Sequence, residues 1–266
     1  MDSQGIRINK YLSEAGVCSR READRQVGQG NVMIEGKIAT IGDKVFPGQE
    51  VIFCGKVMHK EEEEILLLVN KPVGIVCTAE KREKNNIIDF LKYPKRIYPI
   101  GRLDKDSSGL LLMTNQGDLV NRIMRARNYH EKEYLVTVNK RITQDFIKGM
   151  AGGVPLKELK TMTRECVVEQ TGDRTFRIIL TQGLNRQIRR MCEYFDYRVV
   201  ELQRIRIMNL QLGDLKPGEY REITHQEFAE LKRRIRFSSS ETVYTAGGQQ
   251  WKKGRQKKGG KNYGNR

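Results

Sequence analysis

The chain has 266 residues, of which 38% are hydrophobic, so one or two folded domains with apolar cores are expected. Its 49 lysines and arginines against 33 aspartates and glutamates give a net charge of +16, which favours nucleic acid as a partner. No apolar run approaches the length of a membrane span and the first ten residues lack a signal-peptide core, which predicts a cytoplasmic protein without a membrane partner.

Residues 1–60 have the pattern of a small α+β unit. Apolar residues between Ile8 and Ala15 recur at helical spacing, and Gly16 predicts the end of this first helix. Ser19 followed by Glu22 predicts a capping box that opens a second helix. Strands with a Pro-Gly turn before the second of them are predicted at residues 31–37 and 50–53.

A second segment, residues 65–237, follows a charged run at residues 60–64 that we interpret as a connector. Strand-like and helical patterns interleave irregularly here, which favours a mixed, mostly antiparallel sheet flanked by helices. Strands are predicted at residues 65–69, 75–78, 110–114, 133–138, 164–169, 175–180 and 204–210. Helices are predicted at residues 86–91, 118–125, 143–150, 186–195 and 226–234. The predicted fold class is therefore α+β.

Residues 238–266 form a basic tail with seven lysines and arginines and one glutamate among mostly Gly, Ser and Gln. Such a composition cannot bury a core, so the tail is predicted to be disordered. It contributes +6 of the net charge of +16, which leaves +10 for the first 237 residues. The basic character therefore belongs to the folded part as well.

The five cysteines are scattered, odd in number and without a C-x-x-C pair, and the three histidines are equally dispersed. These spacings predict reduced thiols and no metal site. Neither a Walker loop nor a G-x-G-x-x-G fingerprint occurs in the sequence, so no nucleotide cofactor is expected.

The most informative stretch is the polar loop GRLDKDSSG at residues 101–109, which an apolar strand follows. On composition alone, a solvated turn with local ion pairs explains it adequately. The longer stretch GRLDKDSSGLLLMTN, however, resembles the catalytic motif of the RsuA family of ribosomal pseudouridine synthases. RINKYLSEAGVCSRREAD resembles an S4 RNA-binding domain, and LLLVNKPVGIV, HEKEYLVTV and QGLNRQIRRMCE match the family in order and spacing. The resemblance implies a small S4-like domain followed by a catalytic domain.

In that family the aspartate of the G-R-L-D loop is essential, and here it is Asp104. Uracil must leave C1′ of its ribose, rotate and rejoin through C5, which needs neither a redox change nor a group donor, so the resemblance implies no cofactor. A carboxylate can attack C1′ as a nucleophile or help to remove the 2′ proton, and the sequence leaves both paths open. Asp106 is interpreted as a residue that orders the loop.

The resemblance implies three further catalytic residues. Arg102 would enter the space left by a flipped base, although an ordinary loop ion pair is the alternative. Tyr134 would stack on the target base, although a strand aromatic is more often part of a core. The salt bridge to the catalytic aspartate is assigned to Arg189, with Arg186 as the second candidate. Leu184 departs from the family pattern, because related enzymes that act on the small ribosomal subunit often have an arginine near that position.

Basic helix faces supply the candidate RNA contacts, although such faces are usually only solvated. The residues are Arg20, Arg21, Arg25, Arg186 and Arg190. The predicted substrate is ribosomal RNA, most of all large-subunit RNA, and the predicted working form is a monomer. Two alternatives stay open: the same chemistry on transfer RNA, and a non-catalytic S4-type ribosome-binding protein. The second alternative would leave Asp104 without a purpose.

Overall fold

The computed structural model describes residues 5–59, 63–80 and 82–238. Residues 60–62 of the predicted connector lie outside the described residues. The predicted tail also lies outside them, apart from Ser238.

The N-terminal unit packs two helices and six short strands around one core. Its helices are α1 (Ile8–Glu14) and α2 (Arg20–Gly28). Its strands are β1 (Ile6–Arg7), β2 (Val32–Ile34), β3 (Lys37–Ile38), β4 (Lys44–Val45), β5 (Val51–Phe53) and β6 (Lys56–Met58). Strand β1 pairs with β4, and the other four form a sheet in the order β3-β2-β5-β6. The helical spacing of Ile8 and Leu12, and of Ala23 and Val27, turns one apolar stripe of each helix into this core.

Two local features of this unit differ from the sequence predictions. Residues 31–37 do not form one strand, because Glu35 and Gly36 adopt left-handed φ angles of 51° and 71° and turn the chain into the β2–β3 hairpin. The Ser19 hydroxyl accepts a hydrogen bond from the Glu22 N–H at 3.2 Å, as predicted. The Glu22 carboxylate instead accepts from Arg25 and Gln26, so only half of the predicted capping box forms.

The rest of the described chain builds a nine-stranded sheet. Its strands are β7 (Leu66–Lys71), β8 (Tyr98–Ile100), β9 (Ser108–Thr114), β10 (Lys132–Val138), β13 (Val167–Gln170), β14 (Thr175–Leu180), β15 (Val199–Ile207), β16 (Leu210–Gln211) and β17 (Tyr220–Glu222). Strands β11 (Pro155–Leu156) and β12 (Thr161–Met162) pair separately. The order is β13-β14-β10-β15-β9-β7-β17, with β16 on β15 and β8 on β9. Of the sheet's pairings only β9–β15 is parallel, which confirms a mixed, mostly antiparallel sheet.

Helices cover both faces of the central strands. They are α3 (Ile87–Leu91), α4 (Gly117–Met124), α5 (Gln144–Ala151), α6 (Gln187–Tyr194) and α7 (His225–Ile235). Alternate residues of β7 serve opposite faces: Leu66 and Leu68 pack in the core of α4 and α7, while Leu67 and Val69 pack in that of α3. Every residue of β7 is buried, which explains the continuous apolar run of its first four residues, 66–69. None of the helices in the described ranges is long and apolar enough to cross a membrane.

The strand predicted at residues 75–78 is wrong, since Val76 makes only an isolated bridge with Asn86. The segment is held as a loop, because the Lys71 ammonium donates to the carbonyls of Pro72 and Ile75, each at 2.8 Å. Ile75 and Cys77 pack in the same core as Leu103 of the polar loop instead of pairing in the sheet. The largest shifts in strand starts are at β13, which begins at residue 167 instead of 164, and at β15, which begins at residue 199 instead of 204.

The N-terminal unit contacts the rest of the chain beside α4 and β8. The Lys10 ammonium lies 2.8 Å from an Asp118 carboxylate oxygen at the start of α4. The Arg96 guanidinium, just before β8, donates to the Ser13 carbonyl at 3.2 Å. Such partly exposed contacts each contribute only ~0–1 kcal/mol, but they place the N-terminal unit next to the strand that leads into the polar loop.

Candidate active site

The polar loop at residues 101–107 connects β8 to β9, and two glycines make its path possible: Gly101, the first residue of the loop, and Gly109, the second residue of β9. Gly101 has a φ of 73°, and a Cβ there would lie 2.2 Å from Cε of Met124. Gly109 has a φ of 98°, and a Cβ there would lie 2.3 Å from the Arg204 carbonyl oxygen. At this point β9 runs against β15 in parallel register, with Gly109 opposite Arg204. Only glycine combines that φ with so close an approach of two backbones.

The loop presents Asp104 to a cavity of about 390 Å³. Tyr134 lines the same cavity from β10, and it packs against both the core of α5 and α6 and the core of α3. Tyr134 therefore lies where two cores meet, on the face of β10 that also buries Val136 and Val138. The alternation of the strand predicts this shared face correctly. Leu184, where this sequence departs from the family pattern, also lines the cavity.

Arg186 and Arg189 approach the loop from the opposite wall of the cavity. Nη1 of Arg186 lies 3.6 Å from Oδ2 of Asp104. Arg189 instead lies 3.3 Å from Oδ2 of Asp106 and donates to the Asp106 carbonyl at 2.8 Å. The salt bridge to Asp104 that was predicted for Arg189 is thus made by Arg186, the second candidate.

The backbone explains this exchange of partners. Arg186 is not a residue of α6 but its N-cap, with a left-handed φ of 49°, and the helix begins at Gln187. That conformation turns the guanidinium towards the loop, where it also binds both Asp106 oxygens, at 3.1 and 3.2 Å. Burial opposes ionisation of Asp106, but hydrogen bonds and charge from Arg186 and Arg189 outweigh it, and the pKa of Asp106 lies below its usual range.

Positive charge dominates the cavity. Five cationic side chains line it against one carboxylate, that of Asp104; they are Arg102, Lys132, Arg186, Arg189 and Arg204. An excess of this kind favours a ligand with negative charge, such as a phosphodiester chain.

Two of these cations, Lys132 and Arg204, were missed in the sequence. Lys132 is 2% exposed, and burial, followed by the charges of Arg204 and Arg164, lowers its pKa to about 8. Arg204 is 1% exposed, and its Nη2 has no hydrogen-bond partner among the described residues. Burying charge without full pairing is costly, which fits a site that an anion completes. The signal for Lys132 was its position two residues before Tyr134, on the same face of the strand.

The remaining candidates lie outside this ion-pair cluster. Arg102 lines the cavity, is exposed, and makes no hydrogen bond or ion pair with any residue that the structure describes. Arg190 pairs with Glu158 and donates to the Asn185 carbonyl, and it does not line the cavity. Arg190 therefore diverges from Arg186 and Arg189, which both contact the polar loop.

The three candidate arginines of the N-terminal unit, Arg20, Arg21 and Arg25, are exposed on α2. Arg20 donates to the Asn9 side chain at 3.2 Å, and Arg25 donates to Glu22 at 2.7 Å. Arg21 is exposed one position into the first turn. The structure does not bring these arginines to the cavity, so they can contact only another part of a bound polymer.

Asp104 is the candidate reacting group of the cavity. Burial raises the pKa of the Cys77 thiol, whose Sγ accepts a hydrogen bond from the Leu103 N–H, so this thiol stays neutral. Within residues 5–59, 63–80 and 82–238, no group of three or more His, Cys, Asp or Glu residues could hold a metal ion.

Comparisons with known proteins agree with this geometry. A family model described as RNA pseudouridylate synthase matches residues 65–194, and an S4 domain model matches residues 6–51. The dual-specificity RNA pseudouridine synthase RluF of Escherichia coli (strain K12) is 55% identical over 91% of this chain and 83% of its own. The ribosomal large subunit pseudouridine synthase B of Bacillus subtilis (strain 168) is 34% identical over 85% of this chain and 95% of its own. A crystal structure of a pseudouridylate synthase superposes with a TM-score of 0.63 and 29% identity, over 85% of this chain and 99% of that one.

Proposed function

The chain belongs to the RsuA family of RNA pseudouridine synthases, with an N-terminal S4 domain, and from this premise we propose how its residues act and which RNAs it modifies. It is an isomerase that converts uridine in RNA to pseudouridine. The bond between C1′ and N1 breaks and a bond between C1′ and C5 forms; C5 loses its proton to water and N1 takes one up, so the composition of the nucleotide is unchanged. Atoms are rearranged within one nucleotide, and none is added from a second substrate.

The observation that carries the proposal is the single carboxylate, Asp104, in a cavity that it shares with five cationic side chains and Tyr134. The cations supply affinity for the RNA backbone, and they leave one acidic group to act at the ribose of a flipped-out uridine. Arg186 holds Asp106 with two hydrogen bonds, and this fixes its guanidinium beside Asp104. Arg189 secures the back of the same loop through the Asp106 carbonyl. Arg102, exposed and without a partner in the described chain, is free to enter the stack in place of the flipped base.

Tyr134 is proposed to stack on the flipped base. Replacing Tyr134 by phenylalanine keeps the aromatic face and should reduce kcat/KM only a few-fold. Replacing it by alanine removes the face and should cost about 1–3 kcal/mol, or roughly 5- to 150-fold. Single-turnover kinetics on one defined RNA measures both variants. Equal losses in the two variants would assign the role to the hydroxyl and not to stacking.

The substrates are proposed to be large-subunit ribosomal RNA first and transfer RNA second. The support is in the relatives: the one from E. coli is described as having dual specificity, and the one from B. subtilis as a large-subunit enzyme. The direct experiment incubates the purified chain with 23S ribosomal RNA and with transfer RNA, each carrying tritium at C5 of uridine. We expect release of tritium from both RNAs. Release from only one of them would contradict dual specificity.

The RNA is proposed to contact three regions: an S4 domain at residues 1–60, a catalytic domain at 65–237 and the basic tail at 238–266. Exposed Arg20, Arg21 and Arg25 suit phosphate contacts in the first region. Ser238, where the tail begins, lies within hydrogen-bond distance of His130, 2.7 Å from its ring, and this supports a tail that starts beside the catalytic cavity.

We propose a monomer as the working form, because Asp104, Tyr134 and Arg186 meet in one cavity within a single chain. A cytoplasmic location fits both the RNA substrates and five cysteines that are all free thiols.

A further inference from the structure

An exposed tyrosine outside the catalytic set stands close to the cavity. Tyr129 follows the 3₁₀ turn Ala126–Asn128, and 60% of its surface is open to solvent. Its φ of 54° is left-handed, a conformation that glycine or asparagine adopts far more easily than an aromatic residue. A strained and exposed ring gains little from folding, so its presence here indicates a contact with something outside the chain.

The ring is already fixed from one side by an arginine. The guanidinium carbon of Arg164 lies 4.0 Å from the centroid of Tyr129. Nη1 of Arg164 donates to the Ala126 carbonyl at 2.8 Å and reaches the Thr181 carbonyl at 3.5 Å. The pair is therefore assembled before any ligand binds, and one face of the tyrosine ring is covered while the ring as a whole stays mostly exposed.

Neither Tyr129 nor Arg164 lines the catalytic cavity, but residues next to each of them do. The turn that carries Tyr129 begins directly after α4, whose Met124 lines the cavity, and Lys132 lines it three residues later. On the other side, the Gln182 side chain accepts from the Arg164 N–H at 2.6 Å, and Gly183 lines the cavity next to it. The charge of Arg164 also contributes to the lowered pKa of Lys132, a residue that lines the cavity.

We propose that Tyr129, backed by Arg164, is a stacking platform for an unpaired base next to the target uridine. The proposal rests on the pseudouridine synthase function. Flipping one nucleotide out of a stem or loop also removes stacking from its neighbours, and an aromatic ring beside the cavity replaces that stacking. Unpaired RNA bases stack on aromatic rings and guanidinium planes in this way, without a requirement for one base. Arg122, exposed on the same segment, suits a phosphate that flanks such a base.

The first test is kinetic and uses the full chain on a defined RNA stem-loop. Tyr129→Ala should raise KM about ten-fold, equivalent to about 1.4 kcal/mol, with kcat within two-fold of the unmodified protein. Tyr129→Phe should stay within two-fold in both constants, because it keeps the ring. Tyr220→Ala is the matched control, because this tyrosine is also exposed, at 42%, but lies on β17. In the sheet, β17 is at the edge opposite to β13 and β14. Thermal unfolding of each variant separates lost RNA contacts from lost folding.

The second test removes the partner base instead of the ring. RNAs that carry an abasic nucleotide at each position around the target are compared in the unmodified protein and in Tyr129→Ala. One abasic position should raise KM about ten-fold in the unmodified protein and cause no further loss in Tyr129→Ala.

The outcomes distinguish a failure of the proposed stacking platform from a failure of the proposed function. An unchanged KM in Tyr129→Ala, or losses that add at every abasic position, would overturn the platform while the unmodified protein remains active. Absence of pseudouridine formation by the unmodified protein would instead overturn the function on which the platform rests.

Discussion

Replacing Asp104 by asparagine is expected to reduce pseudouridine formation by at least about a thousand-fold, because the amide can neither attack C1′ nor accept the 2′ proton. RNA binding should stay within a few-fold, since asparagine has the same shape and the five cationic side chains of the cavity remain. Tritium release from C5 and filter binding, measured on one RNA, give the two numbers.

Asp106→Asn is the matched control for this variant. Asp106 lies two residues away and binds Arg186 and Arg189, but it does not line the cavity. Loss of its charge should loosen the loop, lower the melting temperature and leave measurable activity. Full turnover by Asp104→Asn would contradict the catalytic assignment, and so would equal losses in the two variants with both folds intact.

Replacing Gly109 by alanine is expected to destabilise the fold by about 3 kcal/mol or more. A methyl group there would lie 2.3 Å from the Arg204 carbonyl oxygen and 2.7 Å from its nitrogen, so one of two paired backbones must move. The φ of 98° adds strain that alanine cannot relieve. Because the same pairing holds the loop against β15, activity should fall together with stability.

Gly28→Ala provides the comparison for this substitution. Gly28 ends α2, its φ is outside the left-handed region, and an added Cβ would meet no atom within 4 Å. We expect no loss of stability there, or a gain of a few tenths of a kcal/mol from helix propensity. Chemical unfolding of both variants measures the contrast. A Gly109→Ala protein as stable as the unmodified one would contradict the close approach of β9 and β15.

The sequence predicts correctly those strands and helices whose apolar pattern matches the residues that the fold buries. The run at residues 110–114 is the core of β9, and helical periodicity placed α4 and α5 to within one or two residues. The short strands β11, β12 and β17 carry no apolar run and form only because a neighbouring strand offers hydrogen bonds. Residues 75–78 have a strand-like composition, but the buried Lys71 ammonium holds the segment as a loop. Local composition does not reveal that competition.

The functional site also contains residues whose placement the sequence predicts and others whose placement it does not. Asp104 and Tyr134 lie in one cavity, as the motifs predict, because each occupies a fixed position in its loop or strand. Whether Arg186 or Arg189 pairs with Asp104 depends on the left-handed backbone conformation of Arg186. No feature of the local sequence predicts that conformation. The burial of Arg204 arises from the β9–β15 contact, which joins residues far apart in the chain.

The most direct test of the central claim is a map of pseudouridines in ribosomal and transfer RNA from cells that lack this gene. We expect at least one uridine in large-subunit ribosomal RNA to stay unmodified in the deletion strain. The modification should return with a plasmid copy of the unmodified gene and not with the Asp104→Asn gene. Identical maps with and without the gene, or full restoration by Asp104→Asn, would contradict the account.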